Sequence, residues 1–289
     1  MHYEGNVIRP PSEADSILLQ VTVACSHNSC AFCGAYLGER YRLKDLEVVY
    51  ADIEFAARTM TRARRLFLLS GDAMVAPMSC LVAVLERVRM RLPRVARVST
   101  YANVKSLRGK SLAELEQLKS LGLAMVYMGL ESGDDALLRA MGKEADLAAM
   151  LEQAAKVKAA GMKLSVTVIN GLAGVAGSTR HALATGRALS LMQPDQAAFL
   201  SLIPVPGTPL WSDIQAGRFT VPDARGLLAE LRLMLEHTNV TRGLFLANHA
   251  SNYLPLKLRL PKDKQAGLDL LASALAGQAK LKPERLRRL

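Results

Sequence analysis

Strand-like apolar runs alternate with helical ones along most of this 289-residue chain, and that alternation limits its fold more than any other feature. Runs of strand length and composition fall at 17–23, 65–70, 95–101, 124–130, 163–169 and 197–203. Between them the spacing predicts helices near 44–60, over 78–91, 111–121, 134–141, 146–160 and 179–192, and near 222–237. Their apolar residues recur at helical intervals, as with Leu112, Leu115, Leu118 and Leu121. Consecutive parallel strands need crossover connections, so strand–helix alternation predicts a parallel sheet with helices outside it. The expected class is α/β. Half of the residues are apolar, enough for one large core, so a second domain is not required. Function in parallel α/β barrels gathers at the C-terminal ends of the strands.

Three of the four cysteines, Cys25, Cys30 and Cys33, lie in the segment that leaves the first apolar run, Val23-Ala24-Cys25-Ser26-His27-Asn28-Ser29-Cys30-Ala31-Phe32-Cys33-Gly34. A loop at a strand end can gather three thiolates about one centre, and soft thiolates select iron–sulfur clusters, zinc or copper(I). Three thiolates rather than four leave one iron of a cluster open to a non-protein ligand. Cys80, in the apolar helical stretch Met78-Ser79-Cys80-Leu81-Val82, reads as a packed thiol. The residues alone keep a second possibility open: structural zinc held by the cysteines and His27.

The cysteine loop and four further motifs, in order, resemble the radical S-adenosylmethionine (SAM) superfamily. In that family a Cys-x3-Cys-x2-Cys loop holds a [4Fe–4S] cluster, SAM chelates the open iron, and an aromatic residue precedes the last cysteine. Phe32 matches the aromatic, while the gap from Cys25 to Cys30 is one residue longer than usual. Ser70-Gly71-Asp72 resembles the Gly-Gly-Glu element that receives the amino group of SAM, with a shorter acid. Gly129-Leu130-Glu131-Ser132-Gly133 resembles the element whose acid and hydroxyl face the ribose; read alone, Ser132 or Asp134 is a helix N-cap. Asn170, entering the Gly171 turn, falls where the family lines its adenine pocket. Pro204-Val205-Pro206-Gly207-Thr208-Pro209-Leu210 is similar to the branch holding the elongator catalytic subunit, methylthiotransferases and oxygen-independent coproporphyrinogen oxidases. The resemblance covers about residues 8–260. It implies a partial (β/α)6 TIM-like barrel over residues 8–240, with residues 241–289 as a short C-terminal extension packed on it.

The same resemblance implies an enzyme. An electron donor such as flavodoxin or ferredoxin would reduce the cluster, SAM would be cleaved to a 5′-deoxyadenosyl radical, and that radical would abstract hydrogen from substrate. One remaining cysteine is too few for a second cluster, which argues against methylthiotransferase and auxiliary-cluster chemistry. The expected substrate is a small molecule. Its expected contacts are Tyr101 and Asn103, after the third strand, and Asn248, His249, Asn252 and Tyr253, in a polar group after the strand-like run 244–247. The bland reading of that group is that its asparagines satisfy turn backbone and its histidine packs in the core.

The formal net charge is +11. The densest positive groups are Arg62-Arg64-Arg65, Arg87-Arg89-Arg91-Arg94 and Lys280-Lys282-Arg285-Arg287-Arg288. This excess makes an RNA-modifying enzyme the alternative function, although no aromatic residues interleave the positives and charged helix faces are the commoner explanation. A non-enzymatic zinc-binding module is the second alternative. Residues 1–16 contain no apolar segment of signal length. No run is long enough to cross a membrane, and clustered thiols suit a reducing cytoplasm.

Overall fold

A computed structural model of the protein describes residues 1–288. The first apolar run breaks at Val21 into β1 (Ile17–Gln20) and β2 (Thr22–Val23), and β2 pairs antiparallel with β3 (Arg42–Leu43). There follow α1 (Leu46–Thr59), β4 (Arg65–Leu69), α2 (Met78–Arg91), β5 (Arg97–Ala102), α3 (Val104–Arg108), α4 (Leu112–Ser120) and β6 (Leu123–Glu131). The chain continues through α5 (Asp135–Ala140), α6 (Leu147–Ala159), β7 (Lys163–Asn170), α7 (Gly174–Met192), β8 (Gln196–Ser201), α8 (Pro209–Gln215) and α9 (Ala224–Glu236). It closes with β9 (Gly243–Leu246), β10 (Lys257–Leu260) and α10 (Lys264–Leu275).

The main sheet has eight strands in the order β1-β4-β5-β6-β7-β8-β9-β10. Pairing is parallel from β1 through β6 and from β7 through β9, and β10 runs antiparallel to β9. The sheet is open, because its first and last strands are not neighbours. This is the expected TIM-like α/β architecture, with two strands beyond the six of the expected partial barrel: β9, on the strand-like run 244–247, and β10, which the sequence did not reveal. The addition has a packing cause: Phe245 of β9 stacks on Phe199 of β8 with ring centroids 4.0 Å apart, and both rings are fully buried.

Residues 1–28, 35–128 and 152–164 form one compact unit. Its core strands are buried on both faces, as parallel strands under helices are. Phe67, Tyr101 and Tyr127, one each from β4, β5 and β6, meet edge to face with centroids 4.9, 5.6 and 6.0 Å apart. Helix α4 starts on a capping box in which Ser111 and Glu114 bond each other's backbone N–H.

Residues 29–34, 129–151 and those from Ser165 onward form the second unit. Leu137, Met141, Leu172, Leu202 and Leu210 make one of its core clusters. Helix α9 buries Leu227, Leu228, Leu231, Met234 and Leu235 at helical spacing, and with them one acid, Glu230.

Candidate active site

In the first unit the chain leaves β2 through Ala24 at φ +61°, a left-handed value that a residue with a Cβ seldom adopts. Cys25 follows and packs with Val23, Ala24 and Tyr36. The Ser70-Gly71-Asp72 turn at the end of β4 comes up against it. A Cβ at Gly71 would lie 2.7 Å from Tyr36 Cε2 and 2.8 Å from Cys25 Cβ, so this approach needs glycine. Ser70 donates its N–H to Thr22 Oγ1 at 3.2 Å, and its Oγ accepts from Gln20 Nε2 at 3.3 Å.

Asp72 is fully buried. Its Oδ2 accepts from the Ser26 hydroxyl at 2.5 Å and its Oδ1 from the Asn103 N–H at 3.3 Å. Asn103 Nδ2 donates to Ser26 Oγ at 3.1 Å, and Asn103 Oδ1 caps α3. Burial pushes the Asp72 carboxyl above its ordinary range, against the pull of the Ser26, Ser106 and Asn103 bonds and of Lys110. Asp72 therefore fixes the residue beside Cys25, with Asn103 as its partner. Tyr101 is the aromatic neighbour of Phe67 and Tyr127, and burial raises its hydroxyl pKa.

In the second unit Cys33 N–H donates to the Cys30 carbonyl at 3.1 Å, closing a turn between two thiols. Ala31 pins that turn: its N–H donates to Met141 O at 2.9 Å, and its carbonyl accepts from Leu210 N–H at 2.9 Å. Phe32 packs with Ala31 on the Leu137–Leu210 cluster. The Pro-Gly-Thr-Pro-Leu ending thus supports the cysteine turn, and Val205 comes so close that a Cβ at Gly34 would lie 2.3 Å from its Cγ1.

Glu131 ends β6 at φ +59° and is 8% exposed. Its Oε1 lies 3.4 Å from Lys143 Nζ, while Oε2 is buried with no hydrogen-bond partner. Burial raises its pKa and Lys143 opposes this. Asn170, at the end of β7, donates Nδ2 to Leu227 O at 3.0 Å and leaves Oδ1 buried without a partner. A buried acceptor left unmade costs about 1–3 kcal/mol. Two such acceptors, on the ends of two strands, are groups that a donor-bearing ligand would satisfy.

Behind them lies a polar chain that the motifs did not reveal. His181 Nε2 faces the Ile169 carbonyl at 3.1 Å, which can only accept, so Nε2 carries the proton and Nδ1 accepts from the Ser132 hydroxyl at 2.8 Å. Ser132 Oγ in turn accepts from Asp134 N–H at 3.0 Å, so this buried hydroxyl is committed within the protein. Glu230 accepts from Gly171 N–H and from the Ser178 hydroxyl, both at 2.5 Å. Burial lowers His181 to about 4 and raises Glu230 to about 7. Their 3.6 Å approach brings together two groups that burial drives toward neutrality. A single histidine in α7 and the one buried acid of α9 match no motif. The available signal was Glu230 on an apolar stripe, between Leu227 and Leu231.

The expected substrate contacts of the C-terminal segment divide. Asn252 donates Nδ2 to Phe199 O at 2.7 Å and accepts from Ser201 Oγ at 2.9 Å, and Ser251 Oγ accepts from Ser201 N–H at 3.0 Å. Tyr253 lies under the Arg287 guanidinium, 4.4 Å from its ring centroid. Arg287 is itself buried and donates to Ser251 O at 2.6 Å and Leu202 O at 2.8 Å. These residues hold the end of β8. Asn248 is exposed, and His249 is half-buried with Nδ1 2.9 Å from Ser251 Oγ. Among the described residues, no three His, Cys, Asp or Glu side chains are gathered as direct ligands of a single metal ion.

Residues 19–184 match the family model of the radical SAM superfamily. The match takes in more than half of the chain, and the chain belongs to this superfamily. It is a radical SAM enzyme, with the [4Fe–4S] cluster and SAM that the family uses, and such an enzyme needs an electron donor and a substrate. No curated protein matches it in sequence.

Solved structures share its fold. Methylornithine synthase is 16% identical with a TM-score of 0.58, covering 93% of this chain and 74% of that one. TsrM from Kitasatospora setae, a radical SAM methyltransferase solved with cobalamin and a [4Fe–4S] cluster, is 17% identical with a TM-score of 0.57, covering 72% of this chain. Coproporphyrinogen III oxidase from Escherichia coli is 17% identical with a TM-score of 0.56, covering 78% of this chain. The chain spans 41% of TsrM and 52% of the oxidase. Among the described residues, no helix is long and apolar enough to cross a membrane.

Proposed function

We propose that Cys25, Cys30 and Cys33 hold the cluster, that Phe32, Ser70, Gly71, Asp72, Glu131, Ser132 and Asn170 form the SAM site, and that the enzyme takes hydrogen from a small organic molecule. The observation that carries this reading is Glu131, a buried carboxylate with one oxygen lacking a partner, on left-handed backbone at a strand end. Strained backbone and unmet acceptors gather where a ligand completes them. Cys25, Cys30 and Cys33 would hold the cluster and the SAM-site residues would orient SAM against it; bound there, the pair would supply reductive cleavage of the SAM sulfonium and the radical hydrogen abstraction that the family uses.

The chain's own residues supply positioning. Glu131 Oε2 suits ribose hydroxyls, and Asn170 Oδ1 suits an adenine N–H donor. Asp72 acts by holding Ser26 beside Cys25, and Ser132 by its bond to His181. Gly71 keeps the β4 turn close to Cys25. Asn248 and His249 are the members of the C-terminal polar group proposed to meet substrate, with Asn252 and Tyr253 holding the end of β8 beside them; Tyr101 and Asn103, at the end of β5, are the other proposed substrate contacts. Residues 241–289 would serve as the C-terminal extension of a barrel formed by residues 8–240. An acidic one-electron donor of the flavodoxin or ferredoxin kind in a reducing cytoplasm fits the requirement for a low-potential electron.

The test is anaerobic purification and reconstitution, iron and sulfide analysis, and measurement of 5′-deoxyadenosine after reduction. About four irons per chain and SAM cleavage are expected. Replacing any one of Cys25, Cys30 and Cys33 by Ala should abolish both, while Cys80→Ala should keep both. Colourless protein with stoichiometric zinc would overturn the assignment. Fractionated small metabolites, added to the reduced enzyme, should stimulate 5′-deoxyadenosine formation.

A further inference from the structure

Two basic runs that are 22 residues apart in sequence, 62–65 and 87–94, form a single surface in the fold. Residues 60–65 lead into β4 and residues 92–97 into β5, which are parallel neighbours with Arg65 opposite Arg97. Ala96 N–H donates to Arg64 O at 2.9 Å, and Arg94 Nη1 to Thr61 O at 3.4 Å, so the two loops lie side by side. Between them is a cleft of about 330 Å³, floored by Met60, Leu92, Pro93 and Val95 and flanked by Arg91 and Arg94.

The basic residues here are of one kind. Residues 54–97 contain nine arginines and no lysine, whereas residues 105–163 contain seven lysines and two arginines. A general preference for arginine across the chain does not explain that segregation. Acidic partners occupy part of the set: Glu54 binds Arg87 and Arg91, Asp15 binds Arg65, and Glu13 binds Arg97. Arg58, Arg62, Arg64, Arg89 and Arg94 are exposed and have no acidic partner among the described residues. Arg58 and Arg89 lie in the last turns of α1 and α2, where a cation offsets the helix dipole. That structural role does not extend to Arg62, Arg64 and Arg94, which are in the loops.

We propose that this surface binds the phosphate backbone of a folded RNA. Guanidinium forks match phosphate oxygens two at a time, which a lysine cannot do. Protein–nucleic acid interfaces are far more positive than protein–protein interfaces, whose centres are depleted in charge. No aromatic residue lies among the loop arginines to stack on bases, so recognition falls on backbone and helical shape, as it does for duplex RNA. The surface is at the opposite end of β4 from Ser70-Gly71-Asp72, about 17 Å away along five residues of strand. It is an anchoring surface for a large ligand, separate from the proposed SAM site at the other end of β4, and it leaves the proposed small-molecule substrate unchanged. The proposal is independent of the cluster and SAM assignments.

The experiment follows the anisotropy of a labelled RNA stem-loop titrated with reconstituted enzyme under anaerobic conditions. With about four phosphates neutralised, affinity should fall on the order of 100-fold between 50 and 200 mM salt. The triple variant Arg62→Glu/Arg64→Glu/Arg94→Glu should lose at least ~30-fold in affinity at 100 mM salt. Arg225→Glu/Arg242→Glu/Lys262→Glu, with the same charge change at exposed positions elsewhere, should lose less than ~3-fold. Equal losses in the two variants would overturn the proposal, because net charge alone would then explain binding. Displacement of the RNA by polyglutamate at equal charge concentration would also overturn it, in favour of an acidic protein partner. If the Glu variant does not fold, Arg62→Gln/Arg64→Gln/Arg94→Gln gives the second reading, with a salt slope shallower by about 2. An unchanged slope refutes the assignment. Cys25→Ala should bind RNA like wild type, so loss of the cluster reading and loss of this one are told apart.

Discussion

Glu230 is the group through which the structure makes its most quantitative prediction. Burial raises its carboxyl from 4.5 to about 7, although Gly171 N–H and the Ser178 hydroxyl both favour the ionised form. A folded-state pKa above the unfolded one means that the folded protein binds the proton more tightly. The resulting stability is therefore complete below about pH 4.5 and is lost as pH rises through about 7. At about 1.4 kcal/mol for each pH unit the whole effect is about 3 kcal/mol, of which about 2.5 falls between pH 5 and 8.5. In Glu230→Gln the Gln carbonyl oxygen still accepts from Gly171, the Ser178 hydroxyl can turn to accept from the amide, and the titration disappears. Urea unfolding of both proteins at pH 5, 7 and 8.5 gives the stability difference at each pH. The variant should gain about 2.5 kcal/mol on wild type between the extremes. His181, lowered to about 4, has the opposite sign: its contribution is present above 6.5 and is lost as pH falls through about 4. It is common to both proteins, so it cancels in the difference. A stability difference that stays within about 0.5 kcal/mol over this range would refute the reasoning, because Glu230 would then ionise as an exposed acid does.

Three further outcomes are expected. Gly71→Ala places a methyl 2.7 Å from Tyr36 and 2.8 Å from Cys25 Cβ, so it should destabilise by about 1–3 kcal/mol and lower iron per chain, whereas Gly109→Ala, with 3.6 Å of room, should keep full iron. Glu131→Ala should leave iron content intact and weaken SAM binding about tenfold or more in equilibrium dialysis, as loss of a charged hydrogen bond of about 1.5–3 kcal/mol implies; unchanged affinity would remove Glu131 from the SAM site. Asn252→Ala should cost about 2–4 kcal/mol in urea unfolding, because the Ser201 hydroxyl and the Phe199 carbonyl lose their buried partner; a loss below about 1 kcal/mol would show that the end of β8 does not depend on it.

The strands were legible because parallel strands under helices are nearly continuous apolar runs, and their ends carried the motifs. The helix expected over 78–91 is α2 to the residue, and strand 65–70 differs from β4 by one position. Helix α7 starts at Gly174, five residues before the expected start, because Gly174 and Gly177 read as turn. Short α3 and α8 were hidden, since five and seven residues carry too little periodicity. In the candidate site the sequence named the residues at strand ends and missed what fixes them. Ser26, His181 and Glu230 act through long-range bonds, and nothing local distinguishes such a serine, histidine or acid. Asn252 and Tyr253 show the converse: polar residues crowded after a strand drew attention as ligands, and their hydrogen bonds go to β8, Glu284 and Arg287.

An open sheet has two end strands where unpaired backbone can recruit another chain, here β1 and, beside β9, β10. Leu258 and Leu260 point inward, while Lys257 and Arg259 alternate with them toward solvent. Pro255 and Pro261 bracket the strand and offer no N–H to an incoming neighbour. Two like charges on successive outward positions would also have to be stripped of water for a second copy to add on. The β10 strand thereby guards its own end of the sheet against edge-to-edge association at the high concentrations that cluster reconstitution and crystallisation demand.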